Sequence, residues 1–279
     1  MEHFISGVIL FEETLKQKAE DGRRLSEILE SKGVIPGIKV DKGAHPMENS
    51  PSEKLTKGLD GLSDRCVGYH SLGARFAKWR AVITIGEGIP TDDCIRGNAS
   101  ALAKYAKACQ DAELVPIVEP EVLMDGVHTI ETCYEISEKT FKTVFEELEN
   151  EGVYLPGILL KPNMVISGKD CPVQGDMNTV AELTVKCLTA SVPEEVPGIV
   201  FLSGGQSETE ATEHLNAMNA MGDCPWALSF SYGRALQQSA LHAWGGDNTN
   251  LETTYATFYH RAEMNSKACN GEYSPELEI

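Results

Sequence analysis

Short apolar runs alternate with longer amphipathic stretches along this chain, and that rhythm limits its possible folds more than any other feature. The runs cover residues 7–11, 37–41, 75–83, 114–121, 157–163, 198–203 and 226–232. Between them lie segments such as 14–32, 95–111, 130–151, 180–191 and 208–221, which carry apolar residues at helical spacing and charges on the other face. Strands that alternate with helices imply parallel pairing through crossover helices. The pattern predicts an α/β chain of the TIM (β/α)8 type with seven parallel strands. A closed barrel needs eight, because only closure removes the sheet edges. The intervals hide no further run, so the reading places the absent strand before residue 7 and takes 1–279 as one N-terminally truncated barrel domain. Missing ladder bonds and core side chains then predict an open barrel of marginal stability, short by about 10 kcal/mol.

Composition narrows the partners. The formal charge is −18, with no basic stripe or tail, which argues against a nucleic-acid binder. No apolar run is long enough to span a bilayer, and the 4–11 stretch lacks the basic lead of a secretory signal and runs at once into Glu12-Glu13. The eight cysteines show no C-x-x-C spacing and read as reduced thiols of a cytosolic protein. A plastid location is the alternative if a transit segment lies upstream.

The chemistry sits in the charged residues of the apolar runs. Strand side chains alternate faces, so Lys39 shares a face with Asp41, Lys78 with Arg80, Glu119 with Glu121, and Lys161 with Asn163. Each is placed toward the C-terminal end of its strand, where barrel enzymes build their sites. A lysine nucleophile must shed its proton, and both a neighbouring ammonium and burial favour that. Lys161 near Lys78 therefore reads as a candidate amine nucleophile for a carbonyl, with Glu119 as the proton shuttle. Arg80 can hold Glu119 or Glu121 in place.

Two loops after the last two strands form a second set. Ser203-Gly204-Gly205-Gln206-Ser207 and Ser231-Tyr232-Gly233-Arg234 each open a helix. Glycine lets backbone N–H groups approach a phosphate, and the helix N-terminus favours its charge. Arg234 can clamp the phosphate oxygens. The histidines form no H-x-x-H or H-E-x-x-H spacing, which disfavours a metal-dependent reaction.

At this point the residues resemble a known family, the class I fructose-1,6-bisphosphate aldolases of the eukaryotic type. The segments that carry the likeness are GIKVDKG at 37–43, FAKWR at 76–80, VEPE at 118–121, LLKPNM at 159–164, FLSGGQS at 201–207 and FSYGRALQ at 230–237. The resemblance implies a Schiff base on Lys161, Glu119 as main general acid and base with Lys78 beside it, and Glu121, Lys39 and Arg80 completing the polar floor. It implies phosphate binding by Ser203, Gly204, Ser231, Gly233 and Arg234, no metal or other cofactor, a phosphorylated sugar substrate and a homotetramer. It also implies a first barrel strand bearing a catalytic aspartate and a terminal tyrosine tail, neither of which this sequence contains. A non-catalytic relative that binds phosphorylated ligands or protein partners, and a transaldolase-like enzyme, are the competing readings.

Overall fold

A computed structural model describes residues 3–222 and 224–278. Its strands are β1 (Gly7–Leu10), β2 (Ile35–Lys39), β3 (Ala44–Met47), β4 (Ser50–Thr56), β5 (Phe76–Ile83), β6 (Val115–Val122), β7 (Leu159–Leu160), β8 (Gly198–Phe201) and β9 (Ala227–Phe230). The helices are α1 (Glu12–Lys16), α2 (Leu25–Ser31), α3 (Leu62–Ser71), α4 (Asp92–Asp111), α5 (Ile130–Asn150), α6 (Met177–Ser191), α7 (Glu208–Met221), α8 (Arg234–Trp244) and α9 (Leu251–Ala268). All seven expected strands form one parallel sheet, in the order β1-β2-β5-β6-β7-β8-β9. The sheet curls into a half-barrel. Among the described residues no ladder joins β9 to β1, so both remain edges.

The inside and outside of the sheet follow from the strand period. Trp79 stacks on Tyr105 of α4 with ring centroids 5.5 Å apart, so it points toward the helix layer. Its neighbours Lys78 and Arg80 therefore point to the barrel interior. Low in that interior, the Phe76 ring lies across β2 and β1. A Cβ on Gly37 would sit 2.2 Å from that ring, and one on Gly7 would sit 3.0 Å from it. One large ring and two glycines thus fill a layer, and any side chain at 37 would displace the ring.

Four crossover helices start on side-chain caps. Thr91, Thr129, Asp176 and Ser207 each accept a backbone N–H from the first turn of α4, α5, α6 and α7. A cap of this kind contributes about 1 kcal/mol. Ser207 and Glu210 complete a capping box, which fixes where the chain leaves the loop after β8.

Two features differ from the expectation. Segment 14–32 does not form one helix: α1 and α2 flank a tight reversal in which Lys18 bridges Arg24 and Gly22 takes φ +85°. The run from Lys16 to Arg24 is rich in charge, and Gly22 favours a turn over a helix. The antiparallel hairpin β3–β4 was not anticipated. Buried Glu53 on β4 accepts from Thr91 N at 2.7 Å and Thr91 Oγ1 at 2.8 Å, tying the hairpin to the start of α4.

Candidate active site

Parallel register aligns the charged side chains. Lys39 is the partner of Lys78, Arg80 of Glu119, and Val118 of Leu160, one residue before Glu119 and Lys161 respectively. Lys161 lies just past β7, where its N–H donates to Val118 O at 2.7 Å. Lys78 is the third of eight residues in β5, so it starts deeper than the strand ends expected for it and reaches up with its long stem.

The Glu119 carboxylate stands between two ammonium groups. Lys161 Nζ is 3.2 Å from Oε1, and Lys78 Nζ is 3.0 Å from Oε2. The second contact is an ion pair without the alignment of a hydrogen bond. All three side chains are buried. Glu121 pairs with Arg80 Nε, which assigns Arg80 to Glu121. Asn163 turns away from this set: its Oδ1 accepts from Val122 N at 3.0 Å, and its Nδ2 donates to Ser137 Oγ and Met164 O. It braces the end of β6 against α5.

Burial is the main force that lowers the Lys161 amine below the usual lysine value. Attraction to Glu119 opposes it, and repulsion from Lys78 adds to it. Sequence reasoning identified both lowering effects but began from the neighbouring ammonium; desolvation comes first. The outcome is an amine that gives up its proton more readily than an exposed one, beside a carboxylate that can exchange it.

Sequence reading omitted Asp41 from the site. Its Oδ1 accepts from Lys39 Nζ at 2.6 Å and from Gly43 N at 3.2 Å. Its Oδ2 accepts from Arg80 N at 3.3 Å and lies 3.7 Å from Lys78 Nζ. Burial pushes the Asp41 carboxyl up, but Lys78, Lys39 and the Arg80 N–H together hold it below the usual carboxylate value. The shared face with Lys39 was the available signal. The Phe11 ring, 65% exposed at the end of β1, has Lys39 Nζ 6.0 Å from its centroid.

The second set forms on the neighbouring strand ends. Ser231 N donates to Phe201 O at 2.8 Å, and Leu202 N donates to Pro162 O at 3.1 Å, so the loops after β7, β8 and β9 are tied edge to edge. Gly204 and Gly205 take φ +60° and +92°, a conformation that favours glycine. The Arg234 guanidinium overhangs Gly205: a Cβ there would be 3.7 Å from Nη2. Gln206 locks the turn, donating to Ser203 O at 2.9 Å and meeting His214 Nδ1 at 2.6 Å. Ser203 is buried, while Gly233 and Arg234, which begin α8, are exposed. Glycine turns, a helix start and an exposed guanidinium at one place can receive an anion.

Among the described residues no group of three or more His, Cys, Asp or Glu side chains is placed to hold a metal ion, and no helix is long and apolar enough to cross a membrane.

The fold and these two sets define a βα-barrel protein with a buried lysine–carboxylate–lysine group beside a candidate anion cradle. Comparison with known proteins narrows this. The family described as fructose-bisphosphate aldolase class-I matches residues 1–278. A probable fructose-bisphosphate aldolase class 1 of Xanthomonas axonopodis pathovar citri is 54% identical over 271 residues, covering 97% of this chain and 81% of that protein. A cytosolic fructose-bisphosphate aldolase 4 of Arabidopsis thaliana is 50% identical, covering 99% of this chain and 70% of that one. The solved fructose-bisphosphate aldolase of Plasmodium falciparum, in complex with TRAP and a small-molecule inhibitor, superposes with a TM-score of 0.96 at 51% identity, over 98% of this chain and 79% of that chain. The chain belongs to the class I fructose-bisphosphate aldolase family.

Proposed function

We propose that this chain catalyses the reversible cleavage of fructose 1,6-bisphosphate to dihydroxyacetone phosphate and glyceraldehyde 3-phosphate, with Lys161 as the Schiff-base amine. The observation that carries this reading is the Lys161–Glu119–Lys78 group. In the cleavage direction, Lys161 Nζ attacks the ketone carbon, and Glu119 passes the proton that converts the carbinolamine oxygen into departing water. The protonated imine then draws the electron pair of the bond between substrate carbons 3 and 4 as that bond breaks, while the carbon-4 hydroxyl passes its proton to the Glu119 carboxylate and becomes the aldehyde. The aldehyde leaves, and the remaining enamine is reprotonated and hydrolysed to free the amine. Lys78 supports the charge on Glu119. Glu121, Lys39 and Arg80 line the polar floor and orient substrate groups. Ser203, Gly204, Ser231, Gly233 and Arg234 receive a phosphate.

Triose phosphate release from fructose 1,6-bisphosphate, measured beside release from fructose 1-phosphate, tests the substrate class. The reading predicts preference for the bisphosphate and loss of that preference in Arg234→Ala. Equal turnover of both sugars contradicts it.

A ligand-binding role without cleavage is the competing reading. Binding of the sugar bisphosphate with no release of triose phosphate is the result that would support that role. A single barrel domain, a homotetramer and a cytosolic location complete the proposal. The last is supported by the likeness to the cytosolic Arabidopsis relative.

A further inference from the structure

We propose that Asp41 is a positioning residue of this site: placed between the ammonium groups of Lys39 and Lys78, it holds Lys78 against the carboxylate that Lys78 shares with Lys161. The proposal rests on the functional reading above and extends it to a residue outside the lysine–glutamate–lysine group.

The geometry argues for an anchor set in advance. Two of the three hydrogen-bond donors to the Asp41 carboxylate are backbone N–H groups, Gly43 at 3.2 Å on one oxygen and Arg80 at 3.3 Å on the other. These fix the carboxylate to the loop after β2 and to β5, whatever the lysines do. Only 3% of its side chain is exposed, so its charge is weakly screened. A lysine, by contrast, ends a flexible four-carbon stem and needs a fixed counter-charge to hold one position.

The charged groups paired around this point come from four strands. Lys39 projects from β2, Lys78 and Arg80 from β5, Glu119 and Glu121 from β6, and Lys161 from the end of β7. Arg80 is taken by Glu121. The remaining charges form a chain, Lys39–Asp41–Lys78–Glu119–Lys161, with successive separations of 2.6, 3.7, 3.0 and 3.2 Å. Without Asp41, Lys39 and Lys78 face each other with no anion between them, and Glu119 is the one carboxylate left for Lys78 and Lys161. A shift of Lys78 then moves the proton-exchanging carboxylate as well, and displacements near 1 Å are enough to slow a positioned reaction by about a hundredfold.

The experiment is a double-mutant cycle on the full chain with Asp41→Asn and Lys78→Met. It reads the rate of borohydride-trapped adduct at Lys161 with saturating dihydroxyacetone phosphate. Asp41→Asn is expected to slow trapping by about tenfold to a hundredfold while the half-saturating concentration moves by less than about threefold. In the Lys78→Met background the same substitution is expected to add less than about twofold, because its route of action is gone. A loss below about twofold in the single variant, or losses that multiply in the double variant, overturns the proposal. If Asp41→Asn fails to fold, Asp41→Glu is put through the same cycle and judged by the same thresholds.

A second measurement is independent of imine formation: acetylation of Lys78 by acetic anhydride, followed by mass spectrometry. Release from its anchor should raise the Lys78 labelling rate at least about threefold in Asp41→Asn. If unsubstituted protein gives no adduct at Lys161, the functional reading fails, and this labelling alone decides the role of Asp41, an unchanged rate overturning it.

Discussion

Lys161 Nζ lies 3.2 Å from Glu119 Oε1, inside a half-barrel where both side chains are almost wholly buried. A nucleophilic amine and the carboxylate that can exchange its proton are thus within reach of each other before any substrate arrives. Burial keeps the amine from holding its proton tightly, and the carboxylate is divided between two lysines.

Replacing Glu119 by Gln removes the proton carrier, leaves the Lys161 amine without its anion and leaves Lys78 with Asp41 alone. Imine formation should slow by about a hundredfold to ten-thousandfold, measured by single-turnover trapping. Stability should fall by about 3–5 kcal/mol, as when one partner of a buried pair is removed, read from urea unfolding.

The depressed Lys161 fixes the sign of two pH effects. Imine trapping should rise with pH, with a midpoint below the ordinary lysine value of 10.5. Between the lowered folded value and 10.5 the unfolded chain binds the extra proton, so this group's contribution to stability also rises with pH. Trapping at a series of pH values checks the first effect. The second is read as a flatter dependence of unfolding free energy on pH in Lys161→Met over the same alkaline window.

His128 and His214 have imidazoles pushed below their usual value of 6.5 by burial. Neither ring nitrogen of His128 has a hydrogen-bond partner. As the pH falls below 6.5 the unfolded chain takes up these protons first, so stability is lost across that window. Melting temperature should drop between about pH 7 and pH 5, and His128→Gln should flatten the drop.

The two sheet edges predict an uneven resistance to unfolding. β5 and β6 pair along eight residues and have neighbours on both sides, whereas β1 and β9 each pair on one side. Amide hydrogen exchange should be slowest in β5 and β6 and fastest in the edge strands. Uniform protection across the sheet would show the edges to be covered in solution.

Much of the fold could be read from the sequence because each strand is a short apolar run with charges at a fixed period. The hairpin could not: β3 and β4 carry Pro46, Pro51 and alternating polar residues, and their pairing depends on Glu53 meeting Thr91, a contact distant in sequence. The break between α1 and α2 was signalled by Gly22 but masked by helical spacing on either side. In the site, the lysines and glutamates declared themselves by sitting in apolar runs. Asp41 sits in such a run too, on one face with Lys39, but its place between two lysines depends on which side chains surround it. The partner of Arg80 and the leading part played by burial at Lys161 likewise needed the folded geometry.

The most direct test is to incubate the chain with dihydroxyacetone phosphate, reduce with borohydride, digest, and locate the added mass. The imine account predicts one stable adduct, on the peptide containing Lys161, absent without reduction and absent in Lys161→Met. An adduct on another lysine, or none in a folded protein, contradicts it.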